Sequence, residues 1–307
     1  MTRRVAVTGM GLVTPVGNDV ASTWAALVAG ESGAGPITRF DHSLLPVHFA
    51  CEVKGFDPLQ YMDKKEARRY DLFSQFAMGA AVQAVRDSCL EKSSLDPKRI
   101  GVIIGTGTGG IATFEENMRT FIEKGPNRVS PFFVPMFMAN VASAIVSMRY
   151  GFQGPNYGTV SACASSGHAL GDAFDLIREN KADVMVAGGS EAAITPLALA
   201  SFANMKALSE RNDDPRTASR PFDMDRDGFV MGDGAAVVIL EEWERAKARG
   251  AKIVAELVGY GATADAYHIT APAPDGSGAQ EAMRLAMKSA SIRPEDIGYI
   301  NAHGTST

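Results

Sequence analysis

Short β-branched runs alternate with stretches of helical periodicity along most of this chain. Val5–Thr8 reads as a strand, closed by a Gly/Pro turn and followed by a helix near Ser22–Ala29. The clearest long helix spans Asp71–Leu90, where Phe73, Ala77, Ala80, Ala81, Ala84 and Val85 share one face. Ile100–Gly105 is an apolar strand ending in glycine, and Ala182–Gly188 is another. Ala235–Leu240 and Ile253–Val258 are two more, separated by a charged helix over Glu241–Ala248 that ends at Gly250. Pro126, Pro131 and Pro135 mark an irregular insertion around Gly125–Asn140, and Ile297–Thr307 reads as a strand running into a loop. Strands interleaved with helices predict an α/β protein with a sheet covered on both faces.

Composition narrows the class without naming a function. A chain of 307 residues, 46% apolar and 21% charged, can bury a large core in one or two domains. A net charge of -5 gives no basic excess of the kind nucleic acid binding needs. Three cysteines, Cys51, Cys89 and Cys163, form neither a CxxC pair nor a disulfide framework, which favours a reducing, cytoplasmic setting. The apolar run in MTRRVAVTGMG is short and broken by glycines, so it reads as a first strand and not a signal peptide, and no apolar stretch is long enough to span a membrane.

Candidate chemistry centres on TVSACASSGHALGDA, Thr159–Ala173. Tyr157–Val160 ends a β run, while Ala164, Ala169, Leu170, Ala173, Phe174 and Ile177 recur at helical spacing. With Ser161 as N-cap, Cys163 would lie in the first helical turn, where free N–H groups and the helix dipole favour a thiolate nucleophile. A lone cysteine is more often a packing residue, and Cys51 and Cys89 are read that way. His303 in NAHGTST follows an apolar run, at the kind of strand end where catalytic groups lie. A Cys–His pair suggests acyl chemistry and equally a hydrolase dyad.

Other motifs fall away. GTGTGG at Gly105–Gly110 lacks the Gly-Lys-Ser/Thr ending of a phosphate loop, and TGMGLVTP at Thr8–Pro15 lacks the third glycine of a dinucleotide fingerprint. Asp223–Gly228 mimics the start of a calcium loop, but its twelfth position is Gly234, so a network with Arg220 or Arg226 is expected and no metal site. The KKEARR run, Lys64–Arg69, is a solvated helix face or a docking patch for an acidic partner.

Taken together, RRVAVTGMGLVTPVG, SPFFVP, SACASS, DVMVAGGSE, SRPFDMDRDGFVMGDGA, DAYHITAP and NAHGTST closely resemble the β-ketoacyl-acyl carrier protein synthases of type II fatty acid synthesis, over the whole chain. The resemblance implies a thiolase-like α/β fold of five layers (α-β-α-β-α), with residues 1–250 as the half carrying the nucleophile and 251–307 as the start of an incomplete second half. It implies a fatty acyl group carried on Cys163, decarboxylation of malonyl-carrier protein, and elongation by two carbons. His303 matches the first of two family histidines. Thr305 and Thr307 match hydroxyls that hold the pantetheine, Thr108 the gate of the acyl pocket, Phe202 a residue near it, and Thr270 a further substrate contact. Lys65, Arg68, Arg69, Arg128 and Lys206 match the carrier-protein docking surface. No cofactor is implied, because phosphopantetheine arrives on acyl carrier protein. A homodimer is implied, with Phe132–Pro135 near the partner's acyl tunnel.

The family continues past HGTST with a lysine segment, a second catalytic histidine and a Gly-Phe oxyanion loop, none of which these 307 residues contain. The expectation is a C-terminally truncated chain that does not condense alone. A polyketide ketosynthase subunit, a non-catalytic carrier-binding fragment and a simple thioesterase are the competing readings.

Overall fold

A computed structural model describes residues 3–92 and 95–307. In chain order it runs β1 (Val5–Val13), α1 (Val20–Val28), β2 (Gly35–Pro36), β3 (Phe49–Ala50), α2 (Lys64–Ala67), α3 (Leu72–Asp87), β4 (Ile100–Gly105), α4 (Ile111–Lys124), α5 (Phe133–Phe137) and α6 (Val141–Tyr150). It continues with β5 (Asn156–Tyr157), α7 (Ser165–Arg178), β6 (Val184–Glu191), α8 (Pro196–Asn204), β7 (Gly234–Glu242), α9 (Trp243–Ala248), β8 (Ala255–Leu257) and α10 (Ser277–Ala290).

Six strands form one mixed sheet in the order β5-β4-β6-β7-β1-β8. β5, β4 and β6 are parallel, whereas β7 is antiparallel to both β6 and β1. Successive side chains of a strand point to opposite faces, so a strand covered on both sides reads as continuously apolar. IGVIIG in β4 shows this: Val102 and Ile104 pack with α3 and α6, and Ile103 packs with α7 on the other face. Ala169, Ala173, Phe174 and Ile177 of α7 meet Val5, Met185, Ala187 and Leu240 there. Burial of Phe174 or Ile177 is worth roughly 1.5–3 kcal/mol each. A smaller cluster joins α8 to Phe49, Leu208 and Met231.

Several boundaries differ from the sequence reading, each for a packing reason. β1 does not end in a turn after Thr8 but runs on to Val13, pairing with β7 on both sides of a register shift at Thr8. Its glycines are there for close approach: a Cβ on Gly11 would collide with the backbone oxygen of Ala80 in α3. Glu241 and Glu242 end β7 and do not begin the next helix. Buried Glu241 pairs with Arg249 at 2.7 Å, and Glu242 caps α9 through the N–H groups of Glu244 and Arg245. The strand expected at 253–258 shortens to β8. The proline-rich insertion contains α5, whose Phe133 and Phe137 pack with Phe114. Residues 297–302 form no strand and are exposed, with Tyr299 83% accessible. The apolar pattern there finds no partner among the described residues.

Candidate functional site

The turn that bears Cys163 lies between β5 and α7, where the chain leaves the C-terminal end of the parallel strands. Ala162 adopts a left-handed conformation (φ 50°), so the chain reverses tightly just before the cysteine. α7 begins at Ser165 with Ala164 as N-cap and no capping side chain. Cys163 therefore precedes the helix instead of lying in its first turn, and Ser161 is not the N-cap. The Ser161 hydroxyl instead shares a 2.6 Å hydrogen bond with Nδ1 of His168, one turn into α7. The Cys163 side chain is exposed.

Buried Ser165 ties this turn to the sheet. Its hydroxyl accepts from the Ser161 N–H at 2.9 Å and lies 2.7 Å from the Ala162 carbonyl and 3.0 Å from that of Thr106, which share its one proton. The Thr159 hydroxyl donates to the Ser165 carbonyl at 2.7 Å, and the Thr106 N–H donates to the Thr159 carbonyl at 3.1 Å. Small residues make the approach possible, because a Cβ on Gly189 of β6 would overlap the Ser166 hydroxyl. Gly105, the first residue of GTGTGG, is equally close: a Cβ there would overlap the Ser165 backbone.

Glu191, the last residue of β6, reaches into the same segment. Its Oε1 accepts from the hydroxyls of Thr106 (3.0 Å) and Thr108 (2.8 Å), and its Oε2 accepts from the Gly107 N–H (2.6 Å). Neither Glu191 nor His168 was singled out from the sequence. The available signal was a charged residue ending an apolar strand and a histidine five residues past the cysteine.

His303 sits elsewhere in the local bonding pattern. Its loop is docked on the Arg220–Gly228 segment: the Ser306 hydroxyl accepts from the Arg220 N–H at 3.1 Å and the Ser306 carbonyl from the Gly228 N–H at 2.9 Å. Arg226 adds a bond to the Thr307 carbonyl at 3.0 Å, and the Thr305 and Thr307 hydroxyls meet at 2.6 Å. The imidazole of His303 is exposed and makes no hydrogen bond to Cys163. Asp223–Gly228 is the arginine network expected, with Arg220 paired to Asp227 at 3.0 Å. No cluster of three metal-ligating side chains occurs among the described residues.

The remaining expected residues are scattered over the surface. Half-buried Phe202 stands edge-on to Phe229, ring centroids 5.3 Å apart. Thr270 is exposed, its N–H bonded to His268 at 3.2 Å. Lys65, Arg68, Arg69, Arg128 and Lys206 are all exposed; Arg69 lies over the Phe132 ring at 4.4 Å, and Lys206 pairs with Glu210 at 3.6 Å.

Burial, together with the Asp172 carboxylate that its hydroxyl bonds, pushes the Tyr157 phenol up to about 12. Burial pushes the Asp233 carboxyl up to about 6 against the pull of Arg39. At the opposite end of β6, hydrogen bonds from Arg99 and then Arg3 hold Asp183 down at about 2. Burial raises the Cys51 thiol, in keeping with a packing role. No helix among the described residues is long and apolar enough to cross a membrane.

Comparison with known proteins is extensive. Profiles for the beta-ketoacyl synthase N-terminal and C-terminal domains match residues 2–246 and 254–307. A 3-oxoacyl-[acyl-carrier-protein] synthase 2 of Synechocystis sp. is 53% identical over 99% of this chain, which spans 73% of that relative. The ishigamide ketosynthase/chain length factor superposes with a TM-score of 0.93 at 34% identity, over 100% of this chain and 74% of its own. A type II polyketide acyl-carrier protein in complex with its ketosynthase bound to the hexaketide gives a TM-score of 0.90 at 35% identity, again over 100% and 74%.

Proposed function

The chain belongs to the beta-ketoacyl synthase family, and from that premise we propose that it is a 3-oxoacyl-[acyl-carrier-protein] synthase, an acyltransferase of fatty acid elongation with the thiolase-like fold. The observation that carries this reading is the exposed Cys163 thiol on a left-handed turn, pinned where the parallel strands end.

In the first half-reaction the Cys163 thiolate attacks the thioester carbonyl of an acyl-carrier protein. A C–S bond forms to Cys163, and the pantetheine thiol leaves with a proton. The backbone N–H of Cys163 supplies one donor to the oxyanion. In the second, malonyl-carrier protein loses carbon dioxide, and the electrons of the broken C–C bond become an enolate. The enolate attacks the acyl carbonyl, Cys163 departs, and a 3-oxoacyl thioester two carbons longer remains. His303 donates to the malonyl thioester oxygen as negative charge builds on it. No cofactor is needed, because the departing carboxylate supplies the electron pair.

Thr305 and Thr307 hold the pantetheine arm in this reading, and Thr108, Phe202 and Thr270 line the substrate path. Lys65, Arg68, Arg69, Arg128 and Lys206 receive the acidic carrier protein, an encounter that weakens with salt. The chain is cytoplasmic and works as a homodimer, with residues 1–250 as the nucleophile-bearing half and 251–307 beginning the second.

Incubation with an acyl-carrier protein tests the proposal. An adduct of one acyl group on Cys163, absent from C163A, is expected; hydrolysis of the donor without an adduct would overturn it. The likeness to polyketide ketosynthases supports a second reading, in which the extender is added to a polyketide starter. Preferential acylation by a β-keto starter over a saturated fatty acyl group would favour that alternative.

A further inference from the structure

We propose that Glu191 is a positioning residue for the acyl-transfer step: its carboxylate locks Thr106–Gly109 into a fixed ledge against which the Cys163 turn is held. The inference rests on the reading of Cys163 as the acyl-accepting nucleophile. Glu191 ends the central strand β6, and its two oxygens accept from three donors on three consecutive residues, Thr106, Gly107 and Thr108. A side chain on Gly107 would meet the Glu191 carboxylate at 2.7 Å and the Ala162 backbone at 3.8 Å, so ledge, carboxylate and nucleophile turn are in direct succession. The Thr106 hydroxyl also accepts from the Gly109 N–H at 3.1 Å, which closes the ledge on itself. The Thr106 carbonyl in turn takes the Ser165 hydroxyl at 3.0 Å. Thr106 is thus the link: its side chain binds Glu191 and its backbone binds the turn that carries Cys163.

A carboxylate is the only side-chain group that offers two pure acceptors at this place. Glutamine would keep one acceptor oxygen but turn an NH2 toward the Gly107 N–H or the threonine hydroxyls. An error of a fraction of an ångström at the nucleophile costs rate in the transition state more than it costs binding.

The test uses the full 307-residue chain with octanoyl-pantetheine as acyl donor, iodoacetamide as a small thiol probe, and thermal melting. E191Q and E191A should lower the maximal rate of Cys163 acylation about tenfold or more, well beyond any fall in alkylation rate or melting temperature, with half-saturating donor close to wild type. T106V, which removes one donor and keeps the other two, should fall between them and wild type, and T106S should restore the rate. Unchanged acylation in E191Q and E191A would overturn the proposal. So would acylation that falls only in step with alkylation and melting, which marks a merely structural residue. Failure of the wild-type chain to acylate while iodoacetamide still modifies Cys163 would instead overturn the nucleophile reading, and the proposal with it.

Discussion

Cys163 and His303 are both exposed, yet they are supported in opposite ways. The turn at Cys163 stands on buried ground: Ser165 and Thr106 beneath it are almost fully buried, and α7 behind it packs Ala169, Ala173, Phe174 and Ile177 against the sheet. His303 belongs to a C-terminal region in which α10 buries no residue, and Ile269 and Tyr299 are 94% and 83% exposed. That region is attached by the short β8–β1 pairing, by Tyr260 against Gly171 of α7, by an Arg178–Ser289 bond of 3.1 Å, and by the polar contacts of Ser306 and Thr307. The contrast teaches that the Cys163 turn is held by a packed sheet and helix, whereas the loop of His303, in a chain that spans 73% of its curated relative, is held by polar contacts. Local opening is cheap where apolar burial is small.

The sharpest way to break the contrast is to damage the supported side. Gly189→Ala drives a methyl group into the start of α7, and overpacking of this kind should cost about 3 kcal/mol. Chemical denaturation should register that loss, together with failure of Cys163 acylation, if the sheet positions the turn.

The foot of the same sheet gives a pH-dependent handle. The Asp183 carboxylate is held at 2.8 Å by Arg99 and 2.7 Å by Arg3, with Arg245 at 3.4 Å, and its pKa is lowered from 3.8 to about 2. A lowered carboxylate pKa stabilises the fold fully above pH 4, and this contribution is lost as pH falls from 4 toward 2. Solvent at this partly open pair screens the effect to about 1 kcal/mol. D183N should lose stability at neutral pH and flatten the decline between pH 4 and 2, as read by melting across that range.

Gly171→Ala probes the lightly held side. The new methyl displaces the Tyr260 ring, while alanine favours the helix, so net stability should stay within about 1 kcal/mol. Limited proteolysis should nevertheless cut residues 262–276 several-fold faster. Equal cleavage would mean that Tyr260 does not anchor the segment. The smallest effect belongs to Arg4, which pairs with Glu256 at 2.6 Å and lies over Trp243. Arg4→Ala at this solvated pair should move the melting midpoint by no more than about 1 °C.

The same contrast explains what was legible in the sequence. β4 can be read to the residue because a strand buried on both faces has no polar positions to confuse the pattern. α3 was clear because its small apolar face repeats over sixteen residues. β1 was cut short because Gly9 and Gly11 signal a turn locally, whereas the helix packed against them demands glycine in a strand. Ser161 looked like a cap because hydroxyls cap helices, but a histidine seven residues on, one turn into α7, competes for it. The strand expected to open Ile297–Thr307 does not form, because strand formation needs a neighbour and the pattern alone cannot supply one. Cys163 was singled out by its small neighbours and motif; the Glu191 ledge was not, since its three donors meet only when β4 and β6 lie side by side.

Amide hydrogen exchange, followed by mass spectrometry on the intact chain, tests most directly whether Cys163 is presented by a core-anchored turn. The account predicts that amides of β4, β6 and α7 from Ala169 to Ile177 stay protected for hours, while those from 262 to 276 and from 297 to 303 exchange within about a minute. Exchange of the Ala169–Ile177 segment as fast as the C-terminal region would contradict it.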